Sequence, residues 1–121
     1  MAAKHALISA CEGGAAGYET DRHDRNLGAP ANTVLLASSE GLSRNYELVL
    51  EEMAFTTPAY SADENDMVRA DMVFFVCPNG GAVFSTGSIA WAGSLPHNSY
   101  DNNVSRITEN VLRRFLDPAA F

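Results

Sequence analysis

At 121 residues and 13.0 kDa the chain is one domain at most, or a fragment of one. Its 46% hydrophobic and 19% charged residues are those of a globular protein rather than a disordered tail. A net charge of −7, with Lys4 the single lysine and the arginines scattered among acids, leaves no basic stripe for phosphates and excludes nucleic acid as a partner. No apolar run approaches the roughly 20 residues of a membrane-spanning helix, and the N-terminal MAAKH lacks the apolar stretch of a secretory signal. The expectations are no membrane partner and a cytoplasmic location.

Along the chain, Ala6–Ala10 reads as a short strand running into a Gly- and Ala-rich loop that ends at Gly17. Tyr18–Asn26 is dense in charge, and Gly28 and Pro30 mark a further turn, so this stretch is expected to be loop. Thr33–Ala37 is a strand by its Val and Leu content. Tyr46–Met53 fits strand alternation but also contains good helix formers; the strand is the favoured reading. Thr56–Asp66 is a polar, acidic connection.

Met72–Val76 is too short for a typical helix and rich in Val and Phe, which suits a strand buried on both faces. Pro78-Asn79-Gly80-Gly81 ends it, with Asn79-Gly80 the signal for a two-residue hairpin turn, and Ala82–Ser85 resumes as an antiparallel partner. Gly87 and Gly93 flank a small-residue segment around Trp91, a core or interface aromatic. From Val104 the apolar residues fall at Val104, Ile107, Val111, Leu112, Phe115 and Leu116, one stripe at helical period. Asp101, Asn102 and Asn103 supply cap chemistry before it, with Asp101 the expected cap; Arg113 and Arg114 suit its last turns, and Pro118 ends it. The fold class is therefore α/β or α+β, with about five strands and one long C-terminal helix. One helix cannot cover both faces of such a sheet, so part of the apolar surface must be covered by a second copy, another subunit or a missing N-terminal portion.

Few residues carry chemistry. Glu19, Asp21 and His23 alternate, so an extended backbone would put two carboxylates and an imidazole on one face, a weak candidate for a divalent metal; Arg22 and Arg25 can instead neutralise the carboxylates locally. Gly13, Gly14 and Gly17 lack the Lys-Ser/Thr or the further glycine of a phosphate loop and read as a permissive turn. Ser88 sits in no nucleophile elbow, and Ser85, Thr86 and Ser88 suit local backbone hydrogen bonds. His97 is an exposed loop histidine. Cys11 and Cys77 stand far apart without a CxxC pattern; both read as inert, Cys77 as a buried small hydrophobe closing its strand. The catalytic residues, if any, are unknown from this pattern.

The run NGGAVFSTGSIAWAGSL, Asn79–Leu95, followed by NSYDNNVSRITENVLRRFLDP, Asn98–Pro118, resembles the C-terminal end of the large subunit of N,N-dimethylformamidase and its relatives. GGAAGYETDRHDRNLGAP, Gly13–Pro30, and LASSEG, Leu36–Gly41, are similar to the preceding part of the same region. The resemblance implies a piece of an amide hydrolase that cleaves the C–N bond of small linear amides, in a partial glutamine-amidotransferase-like layer. It also implies a mononuclear iron held by tyrosine and glutamate in the full-length family. None of Tyr18, Tyr46, Tyr60 and Tyr100 matches a ligand position by motif, so no cofactor is expected in this chain alone. The family enzymes are several times longer, which makes this chain the tail of an enzyme, catalytically incomplete, with a homo-oligomer, the missing N-terminal portion or another subunit as its partner. Two alternatives stand beside it: a stand-alone binding or oligomerisation module, and a small metal-dependent enzyme using the Glu19/Asp21/His23 loop.

Overall fold

A computed structural model describes residues 14–48 and 57–121. Three strands, β1 (Val34–Ser39), β2 (Ala70–Val76) and β3 (Ala82–Ser85), form an antiparallel sheet in the order β1-β2-β3. Two helices follow, the short α1 (Ala90–Ser94) and the long α2 (Asn103–Leu116). The described residues thus hold three strands rather than about five. Ala6–Ala10 lies outside them. Of Tyr46–Met53 only the first three residues are described, and there Glu47 makes an antiparallel bridge to Ser61; the rest of that expected strand lies outside the described residues.

The hairpin between β2 and β3 follows from its turn residues, with one change from expectation. Gly80 N–H donates to the carbonyl of Cys77 (3.1 Å) and Cys77 N–H to that of Gly81 (2.7 Å), so Pro78-Asn79-Gly80 is a three-residue loop rather than a two-residue one. Pro78 occupies the second position of the turn, where its fixed φ fits, and Gly80 takes the left-handed conformation that closes it (φ +91°). β1 pairs with the other side of β2, and a bulge between Leu35 and Ala37 leaves Leu36 without an opposite residue.

Cross-strand pairing sorts the sheet into two faces. Ala37 opposite Met72, and Phe84 opposite Phe74, lie on the helix side; Leu35 opposite Val73, and Val83 opposite Phe75, lie on the other. The core is small: Ala15, Met72, Trp91 and Val104, flanked by Ala37, Phe84, Leu95 and Ile107. Trp91 enters it from α1, a helix that the glycine-flanked sequence did not announce, and its indole N–H donates to Thr108 Oγ1 of α2 (3.0 Å). After α2 the chain folds back. Phe121 packs against Phe74 (5.8 Å between centroids) and Phe115 (5.0 Å), with the Arg114 guanidinium 4.2 Å over its ring.

Only the first half of β2 is buried; Val73–Val76 are half-buried, so the expectation of a strand enclosed on both faces is corrected. On the face away from α2, Leu35 and Val83 stay exposed while Val73 and Phe75 are half-buried, and Cys77 is half-buried rather than buried. No described helix is long and apolar enough to cross a membrane.

Candidate functional site

The charged loop is held to the sheet by its main chain. Asp21 N–H donates to the carbonyl of Gly87 (2.9 Å), and the carbonyl of Asp21 accepts from Asp71 N–H (2.9 Å). His23 N–H donates to Asp71 Oδ2 (2.7 Å), and the carbonyl of His23 accepts from Arg69 Nη2 (3.2 Å). A Cβ on Gly87 would stand 2.5 Å from the carbonyl oxygen of Asp71 and 2.9 Å from that of Asp21, and its φ is +64°, so only glycine lets the loop come this close.

Asp71 is the centre of this arrangement. Its side chain is fully buried, with Arg69 Nε at 3.0 Å from Oδ2 and the Ser38 hydroxyl donating to Oδ1 at 2.7 Å. One carboxylate thereby ties together β1, β2 and the loop that carries Glu19, Asp21 and His23, and its lone pairs are spent on those donors. Next to it, Asp24 accepts from Asn26 N–H (2.9 Å) and pairs with Arg22 (3.2 Å). The Asn26 N–H first, and then Arg22, hold its carboxyl below the usual carboxylate value.

The candidate residues are placed as follows. Glu19 and Asp21 have exposed side chains and His23 is half-buried. Among the described residues no three His, Cys, Asp or Glu side chains come together in a group that could hold a metal ion. Tyr18 breaks the extended run with φ +64° and is 90% exposed. Tyr46 makes its contact to this region through its hydroxyl, 3.3 Å from Tyr18 N. These donors do not fit an iron held by tyrosine and glutamate. Ser88, read as a local hydrogen-bonding residue, serves that way: its hydroxyl accepts from Gly17 N–H (2.8 Å) and donates to the carbonyl of Gly17 (2.9 Å).

A second feature precedes α2. Asn98, Ser99 and Tyr100 are consecutive residues in the left-handed region (φ 50°, 54° and 69°). The turn is stapled by Asn102, whose amide donates to the carbonyls of His97 (2.7 Å) and Leu95 (3.0 Å) while its oxygen caps α2 at Ser105 N–H (2.9 Å). The cap is therefore Asn102, not Asp101, because Asp101 lies in the turn with a distant contact to Arg106 (4.0 Å). An open depression of ≈ 490 Å³ lies here, lined by Tyr100, Asp101, Ser105, Arg106 and Glu109 among others. His97 is exposed beside it, as expected. Asp71 was missed as an organising residue, and Asn102, one of the three expected cap candidates, takes the role given to Asp101. The signal available for Asp71 was an arginine, Arg69, two residues before it.

Neither feature presents a nucleophile with an adjacent base. The profile of the family described as N,N-dimethylformamidase beta subunit-like, C-terminal, matches residues 4–103. The N,N-dimethylformamidase beta subunit of Paracoccus aminophilus is 52% identical, and that of Alcaligenes sp 51% identical, each over 104 residues. Both alignments take in 86% of this chain and 14% of the relative, so the chain spans about a seventh of the length of the curated relatives it matches. With most of its residues inside the family profile, the chain belongs to the N,N-dimethylformamidase beta subunit-like, C-terminal family.

Proposed function

We propose that the chain is a C-terminal segment of an N,N-dimethylformamidase-like amide hydrolase, active in the cytoplasm. It would contribute structure and assembly to an enzyme that hydrolyses the C–N bond of small linear amides. The observation that carries this is the disproportion of lengths: about half of the aligned residues are identical to beta subunits of which the match fills 14%. The fold supports the same reading, since apolar Leu35 and Val83 stay exposed on the sheet face away from α2 and its best-organised polar cluster is consumed in holding the chain together. On this reading the three strands and α2 are the end of a glutamine-amidotransferase-like layer, and the iron and its tyrosine and glutamate ligands belong to the preceding part of the polypeptide.

The test is hydrolysis of N,N-dimethylformamide, followed by release of dimethylamine. The 121-residue chain alone is expected to release none and to carry no stoichiometric iron. A chimera in which the chain replaces the matching segment of the Paracoccus aminophilus beta subunit, assembled in its holoenzyme, is expected to be active. Hydrolysis by the isolated chain, or an inactive but folded chimera, refutes the proposal. A second reading, an oligomerisation module without catalysis, is favoured by the exposed apolar residues of β1; a monodisperse monomer in light scattering removes it.

A further inference from the structure

We propose that the sheet face turned away from α2 is the seat of the polypeptide that precedes this segment in a full-length beta subunit. The proposal rests on the fragment reading above. Cross-strand neighbours Leu35 and Val73, and Val83 and Phe75, make that face apolar. Leu35 is 49% exposed and Val83 37%, while Val73 and Phe75 are half-buried. The patch is bounded at one end, where the Asp21–His23 loop is fastened over Asp71. On β1, Leu35 carries it to the edge of the described sheet.

Two observations select the occupant. In the relatives, 86% of the polypeptide lies outside the part matched here, so a covalently linked partner is present at high effective concentration. A second copy would bring another net charge of −7 against the first, which opposes self-association.

The experiment is thiol footprinting with a maleimide in a Cys11→Ser, Cys77→Ser background. Leu35→Cys and Val83→Cys are labelled in the 121-residue chain and in the chimera described above, each rate normalised to the same protein in denaturant. Labelling at least tenfold slower in the chimera is the expected result. Equal rates in an active chimera overturn the proposed seat and leave the fragment reading standing; amide cleavage by the 121-residue chain overturns the reading beneath it. Protection of Leu35→Cys that rises with the concentration of the 121-residue chain also overturns it, by naming a second copy as the occupant.

Discussion

Asp71 shows how a single buried charge can organise a small protein. Taking a carboxylate out of water costs several kcal/mol unless its oxygens are met by donors, and here Arg69, the Ser38 hydroxyl and His23 N–H meet them. Removing the charge strands a half-covered guanidinium and two donors. Asp71→Asn is therefore expected to lower the unfolding free energy by about 2–4 kcal/mol, read as a lower urea midpoint at unchanged slope. Gly87 is the backbone counterpart, because a methyl there meets main-chain atoms that cannot swing aside. Gly87→Ala is expected to cost about 3 kcal/mol or more, part of it left-handed strain, and to release the Asp21–His23 amides to hydrogen exchange. The pairing of Arg69 with Asp71 could be read from their spacing. Ser38 and His23 lie 33 and 48 residues from Asp71, and only the folded chain brings them there.

Among the elements, α2 was the most legible, because a period of 3.6 is a property of the local sequence. Its span Asn103–Leu116 agrees with the stripe that begins at Val104. The stripe does not act as one surface: Val104 is fully buried, whereas Leu112 and Leu116 are 58% and 84% exposed, since the helix reaches past the small sheet. Asn102 joins its start to the left-handed turn before it, satisfying one orphan helix N–H and two loop carbonyls. Asn102→Ala is expected to cost about 1–2 kcal/mol, seen as a lower thermal midpoint by circular dichroism, with the 98–100 turn exchanging faster. α1 escaped the sequence reading because five residues with one Trp between two glycines have no helical period to detect. Trp91 gains its helix from packing on α2.

For the molecule as a whole, acid should be the weak side. Asp24, through Asn26 N–H and then Arg22, and Asp63, through the Ser61 hydroxyl and then Arg44, are both held below the ordinary 3.8. A carboxyl with a lower pKa folded than unfolded stabilises the fold fully above its unfolded value and loses that contribution as pH falls through the folded one. The thermal midpoint is expected to fall as pH drops from about 5 to below the ordinary carboxylate value, and the Asp24→Asn, Asp63→Asn double variant to show a shallower fall. The sequence by itself determined the kind of protein this is: the strand, hairpin and helix segments are local patterns, and the wording of Asn79–Leu95 carried the family resemblance. It also implied that one helix could not cover both faces of a sheet. Only the tertiary structure decided that three strands form the described sheet, that Asp71 rather than the Glu19, Asp21 and His23 side chains organises the charged loop, and that Leu35 and Val83 share the face turned away from α2. Those are contacts between residues far apart in the chain, and burial is a property of what the rest of the fold places over a side chain.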